Sequence, residues 1–173
     1  GGFGALSVKT LLDQGHSVVA TMRNIESRNK AKADELAALG AQIVNVDVTD
    51  DESVSVGVAK AIEKMEGLDV VVNNAGIGVL GIQEQFTIDD FRRLFEVNVF
   101  GVQRVNRAAL PHLRKQGSGL LIHVSSILGR MAFPFYGPYN ASKWALEALA
   151  QNYRVELSGF GVDSCLEEPG GYP

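Results

Sequence analysis

Leu68-Asp69-Val70-Val71-Val72-Asn73-Asn74-Ala75-Gly76 is the stretch on which the fold turns. A short run rich in valine, stopping at polar residues and a glycine, suits a strand buried on both faces, as in a parallel sheet. Residues 16–22, 42–46, 120–125 and 162–166 read the same way. Helical stretches lie between these runs. Residues 5–12 form the first, and residues 30–39 the second, stopped by Gly40 as a C-cap. Asp50 or Asp51 caps a third that runs to about Met65. Thr87-Ile88-Asp89-Asp90 opens a fourth with a capping-box pattern, and helix continues, whole or broken, to about Arg114. The last spans about Tyr139 to Leu157. This alternation predicts βαβ units in a doubly wound, Rossmann-type parallel sheet with α/β/α layering.

The bulk properties bound the function. The 173 residues are expected to form a single domain. A formal charge of −4 argues against nucleic acid as a partner, because phosphate neutralisation needs a basic surface. The basic stretch from Arg23 to Lys32 has Glu26, Asp34 and Glu35 in or beside it and reads as a solvated helix face. One cysteine, Cys165, forms no internal disulfide, which fits a reducing compartment, and a cytoplasmic location is expected. No apolar run reaches the roughly 20 residues of a membrane span. His16, His112 and His123 lack metal-ligand spacing, so no metal is expected.

Ligands in such folds bind at the carboxyl ends of the strands. Polar residues and glycines collect there: Met22-Arg23-Asn24, Asp47-Val48, Asn73-Asn74-Ala75-Gly76, Ser125-Ser126 and Glu168-Pro169-Gly170-Gly171. Tyr139-Asn140-Ala141-Ser142-Lys143 places a phenol and an amine one turn apart on one helix face. Such a pair alone is as compatible with a surface contact. Ser126, however, lies thirteen residues upstream of Tyr139 at the end of a strand, and Asn98 and the Asn73–Gly76 segment lie further back.

Together these residues resemble the short-chain dehydrogenase/reductase family, over essentially the whole chain. The glycine turn, NNAG, Asn, Ser, YxxxK and PG motifs occur in order. Gly2 and Gly4 match the second and third glycines of the family's TGxxxGxG turn, with Phe3 between them and Gly1 at a variable position. The resemblance implies that the chain is the interior of a longer enzyme, without a first strand or the substrate region beyond Pro173. Gly2, Phe3 and Gly4 would then let backbone approach a pyrophosphate at a helix N-terminus.

The same resemblance implies an NAD(P) cofactor. Met22 occupies the place where an acidic residue selects NAD, and Arg23 follows, where a basic residue accompanies the 2′-phosphate of NADP. NADP(H) is therefore expected, with NAD(H) also accepted; a solvated loop arginine is the alternative. Asp47 and Val48 would flank the adenine, and Asn73, Ala75 and Gly76 the ribose. Pro169 and Gly170 would close the nicotinamide end.

The implied chemistry is hydride transfer to or from a carbon bearing oxygen, on a small alcohol or carbonyl substrate. Tyr139 would be the proton donor in reduction and acceptor in oxidation, with its pKa lowered by Lys143. Lys143 would also hold the ribose hydroxyls, Ser126 the substrate oxygen, and Asn98 a relay water; a structural role is the alternative for Asn98. The alternatives are an NADP-binding sensor that does no chemistry, or an inert fragment of an enzyme. Met131, Phe133, Phe135 and Tyr136 would line an apolar pocket or pack in the core. The segment 20–24 and the final GGYP resemble the branch containing hydroxysteroid and retinol dehydrogenases. Apolar residues on two sides of the last helix, Trp144, Leu146, Leu149 and Tyr153, are expected to support a homodimer or homotetramer.

Overall fold

The computed structural model describes residues 2–171; Gly1, Tyr172 and Pro173, which belong to the two terminal turn motifs above, lie outside the described residues. The chain packs as two compact units, Gly1–Leu68 and Asp69–Pro173.

The first unit holds α1 (Gly2–Asp13), β1 (Val19–Met22), α2 (Lys30–Ala38), β2 (Gln42–Asn45) and α3 (Asp51–Met65). β1 and β2 are parallel, in register from Val19 opposite Gln42 to Met22 opposite Asn45. Ala20, Leu36 and Ala41 form a buried cluster against which Ala5, Val8 and Leu12 of α1 pack. That is the i, i+3, i+7 stripe of an amphipathic helix. Asp50 caps α3 by accepting from the Ser53 backbone N–H at 2.6 Å. Gly57 lets α3 lie close on β2, since a Cβ there would overlap the Val46 side chain. Gly2-Phe3-Gly4 departs from expectation. It forms the first turn of α1 rather than a turn ahead of it.

The second unit holds β3 (Val70–Asn73), α4 (Ile88–Phe95), a π-helical turn (Glu96–Phe100), α5 (Gly101–Gln116), β4 (Gly119–Val124), a 3-10 turn (Ile127–Gly129), α6 (Gly137–Leu157) and β5 (Val162–Glu167). Its three strands are parallel in the order β3-β4-β5. Leu94, Leu113 and Leu121 are fully buried, with Leu146 and Val162 beside them at 1% and 2% exposure. The Thr87 capping box forms in both directions: Asp90 N donates to Thr87 Oγ1 and Thr87 N to Asp90 Oδ2.

The architecture is the expected Rossmann-like α/β fold with parallel strands. Among the described residues the five strands pair as one sheet of two and one of three. β3 is also less buried than its apolar run suggests. It is an edge strand whose Val70 and Val72 are 45% and 40% exposed, while Val71 and Asn73 are buried.

Candidate functional site

In the second unit, three parallel strands deliver their carboxyl ends to one side. β3 ends in Asn73-Asn74-Ala75-Gly76, β4 runs into Ser125-Ser126, and β5 runs into Glu168-Pro169-Gly170. The first turns of α6 add Tyr139 and Lys143. Backbone hydrogen bonds tie these ends together: Ser125 N–H donates to the Glu167 carbonyl at 2.8 Å, and Ile127 N–H to the Pro169 carbonyl at 3.1 Å.

Ser126 opens the 3-10 turn, its hydroxyl accepting from Leu128 N at 3.1 Å, and it also lies within hydrogen-bonding reach of the Tyr139 phenol. Burial pushes that phenol above its ordinary value of 10, with the Ser126 hydroxyl acting in the opposite sense. The expected lowering by Lys143 is therefore absent in the protein alone. The Lys143 ammonium donates to the Val124 carbonyl at 2.7 Å and lies 5.6 Å from the Tyr139 ring centre. Burial also brings Lys143 down to about 8, against the opposing field of Glu147.

A strip of bare backbone faces this pair. A Cβ on Gly76 would sit 3.7 Å from Lys143 Nζ, and one on Gly78 would sit 3.8 Å from the Tyr139 ring. Asn98 holds the strip in place. Its Oδ1 accepts from Ile77 N and its Nδ2 donates to the Ile77 carbonyl, both at 2.9 Å. The same Nδ2 also donates to Ser142 Oγ at 3.0 Å, and that hydroxyl donates to the Tyr139 carbonyl at 2.8 Å.

Asn73 is buried in a different contact. Its Nδ2 donates to Asn106 Oδ1 at 2.9 Å and faces His123 Nδ1 at 3.4 Å. Its side-chain nitrogen is thereby turned to the interior of the unit. Ala75 is exposed just past β3.

In the first unit, Arg23 follows β1 and Asp47 follows β2. They form a half-exposed ion pair, Arg23 Nη1 to Asp47 Oδ2 at 3.7 Å. The backbone N–H and hydroxyl of Thr49 hold the Asp47 carboxyl below its ordinary range, with a smaller contribution from Arg23. Val48 is partly buried beside it. Gly2, Phe3 and Gly4 stand in the first turn of α1.

The structure thus joins Gly76, Asn98, Ser126, Tyr139 and Lys143 in one unit, and Arg23 with Asp47 in the other. Sequence reasoning missed two charged residues beside the first group, Arg130 and Glu147, and gave no role to Glu168, which it placed at a strand end. Glu147 carries a signal, since it follows Tyr139 and Lys143 at helical spacing. Arg130 carries none.

The model of the short chain dehydrogenase family matches residues 1–172. The chain belongs to the short-chain dehydrogenase family. It is 40% identical over 179 residues to an uncharacterized oxidoreductase, YusZ, of Bacillus subtilis, covering 99% of this chain and 61% of that protein. A crystal structure of a short-chain dehydrogenase from Streptomyces avermitilis superposes with a TM-score of 0.91 at 36% identity, covering 99% of this chain and 63% of that one. A gluconate 5-dehydrogenase from Burkholderia cenocepacia, crystallised with NADP and tartrate, gives 0.85 at 27% identity, covering 97% and 67%. The chain spans about three fifths of the length of the curated relatives it matches. Among the described residues no helix is long and apolar enough to cross a membrane.

Proposed function

We propose that the protein is an NADP(H)-dependent oxidoreductase that interconverts an alcohol and a carbonyl compound through Ser126, Tyr139 and Lys143. The observation that carries this is the convergence of those three side chains beside the bare Gly76–Gly78 backbone. A nicotinamide cofactor fits the donors present. Lys143 is buried, and among the described residues only one of its three N–H groups has an acceptor, the Val124 carbonyl. Two remain for ribose hydroxyls.

Arg23 would bind the 2′-phosphate, with Asp47 and Val48 beside the adenine and Gly2, Phe3 and Gly4 at the pyrophosphate. Asn73, Ala75 and Gly76 would line the ribose, and Pro169 and Gly170 would close the nicotinamide end. Bound NADPH supplies the hydride. Ser126 holds the carbonyl oxygen next to Tyr139, and the phenol donates the proton that prevents an alkoxide from accumulating. A phenol held above its ordinary pKa stays protonated at neutral pH, which is the form reduction needs. Lys143 places its positive charge near the developing phenolate. Asn98 fixes the strip opposite Tyr139; a relay water would be held by its backbone, since its amide is already bonded.

The substrate end is apolar. Met131, Phe133 and Phe135 are 50%, 53% and 56% exposed, so they are not core. The Phe133, Tyr136 and Tyr139 rings follow one another with centres 6.2 and 6.3 Å apart. An apolar organic carbonyl suits that run. The test is Tyr139→Phe in the whole protein, assayed by NADPH consumption over ketones and aldehydes. Turnover is expected to fall ~10²–10⁴-fold with cofactor binding retained. Undiminished kcat would refute the role of Tyr139, and NADP binding without turnover in the parent would favour a sensor.

A further inference from the structure

Besides Tyr139 and Lys143, α6 buries a third ionisable side chain. Glu147 follows them by eight and four residues, so all three share a helix face. It is 4% exposed. Its Oε2 lies 3.2 Å from Arg130 Nε, and the same Nε donates to Glu168 Oε1 at 2.8 Å. Three segments meet at this guanidinium. Arg130 closes the turn that Ser126 opens, Glu147 stands on α6, and Glu168 follows β5 just before Pro169. The approach is close: a Cβ at Gly129 would stand 2.9 Å from Glu147 Oε1 and 2.7 Å from Ser125 Oγ.

A buried carboxylate needs compensation. Arg130 is 54% exposed and shared with a second carboxylate, so it neutralises Glu147 only in part. Among the described residues neither carboxylate oxygen of Glu147 has a hydrogen-bond partner beyond its ion pair with Arg130. Lys143 stands one turn before it on the same face of α6. The two side chains from α6 lodge at successive positions on the end of β4: Lys143 on the Val124 carbonyl and Glu147 beside Ser125.

Resting on the reading of Tyr139 and Lys143 as the reacting centre, we propose that Glu147 is a positioning residue. It is the buried countercharge that keeps Lys143 an ammonium and, with Arg130, the clasp that fixes the Ser126 turn to α6. The charged groups facing Glu147 are Lys143 on its own helix, Arg130 from the turn and Glu168 from the end of β5. Burial raises the Glu147 carboxyl, Ser125 and Arg130 oppose that rise, and Glu168 adds to it. In return Glu147 is the group that holds Lys143 up against burial.

The test titrates Lys143 by carbon-13 NMR of selectively labelled lysine, in the whole protein without substrate. The midpoint is expected near 8 in the parent. It falls by about half a pH unit or more in Glu147→Gln and returns toward the parent value in Glu147→Asp. In the unmodified protein the Glu147 carboxyl carbon also shifts at the Lys143 midpoint, a reading that needs no variant to fold. With a reducible carbonyl, the alkaline fall of kcat/KM moves to lower pH in Glu147→Gln. An unmoved Lys143 midpoint in the variant, or a Glu147 carboxyl carbon silent through the Lys143 titration, overturns the proposal. The amine titration does not depend on turnover. A protein inert toward every carbonyl would therefore defeat the oxidoreductase reading and leave this test intact.

Discussion

Taking the protein from pH 7 to pH 5 is expected to remove ~2 kcal/mol of stability through His123 alone. The ring is fully buried on β4, stacked 6.3 Å from Tyr153 at an interplanar angle of 12°. Asn73 Nδ2 faces its Nδ1 at 3.4 Å, which makes Nδ1 the acceptor of a neutral imidazole. Its Nε2 has no hydrogen-bond partner among the described residues. Burial therefore pulls its pKa from 6.5 to about 4. Below 6.5 the unfolded chain takes up a proton that the folded chain refuses until about 4, so stability falls throughout that window as pH falls. At ~1.4 kcal/mol per pH unit, the loss is ~2 kcal/mol by pH 5 and approaches ~3 kcal/mol near pH 4. Asp47 and Asp90 are lowered from 3.8, so the slope they add lies mostly below pH 5. Glu147, raised from 4.5, acts in the opposite sense. Urea unfolding at pH 7, 6 and 5 of the parent and of His123→Gln isolates the histidine, since glutamine keeps an acceptor for Asn73 and does not titrate. The variant is less stable at pH 7 but flatter with pH. Equal pH slopes in the two proteins would refute a neutral, buried His123.

Leu121→Ala, on the central strand β4 and fully buried, is expected to lower unfolding free energy by about 2–5 kcal/mol, read by urea denaturation. Met22→Asp combined with Arg23→Ala is expected to shift preference from NADPH toward NADH by titration of both cofactors; equal Kd values for the two in the unmodified protein would remove Arg23 from that role. Trp144 and Val155 leave α6 with an apolar face 52% and 76% exposed, so light scattering at micromolar concentration is expected to give a dimer or tetramer mass. A monomer mass would contradict it.

What could be read from the residues was what short-range physics determines. The Thr87–Asp90 capping box and the Asp50 cap form as expected because each closes within three residues. Tyr139 and Lys143 share a face because helical spacing puts them there. Contacts across long separations were invisible: Asn98 to Ile77 spans 21 residues, and Arg130 to Glu168 spans 38. The exposure of Val70 and Val72 depends on strand order, which a valine run does not encode. The raised Tyr139 phenol follows from burial, and the spacing of Tyr139 and Lys143 carries no information about burial.

The side-chain amide of Asn98 presents a donor and an acceptor in one plane, and both are taken up by the backbone of Ile77. It behaves as a spare peptide unit grafted onto the π-helical turn. Aspartate offers no donor and serine no second atom, so neither can take over the bond pair. The mechanical consequence is that residues 76–78 and the helix at Glu96–Phe100 travel as one lever. A displacement of residues 76–78 away from Tyr139 is therefore expected to flex the helix at its wide turn as well. Hydrogen exchange at Ile77 should accordingly rise and fall in step with exchange at Val99 and Phe100, as if the two segments were a single hinge plate.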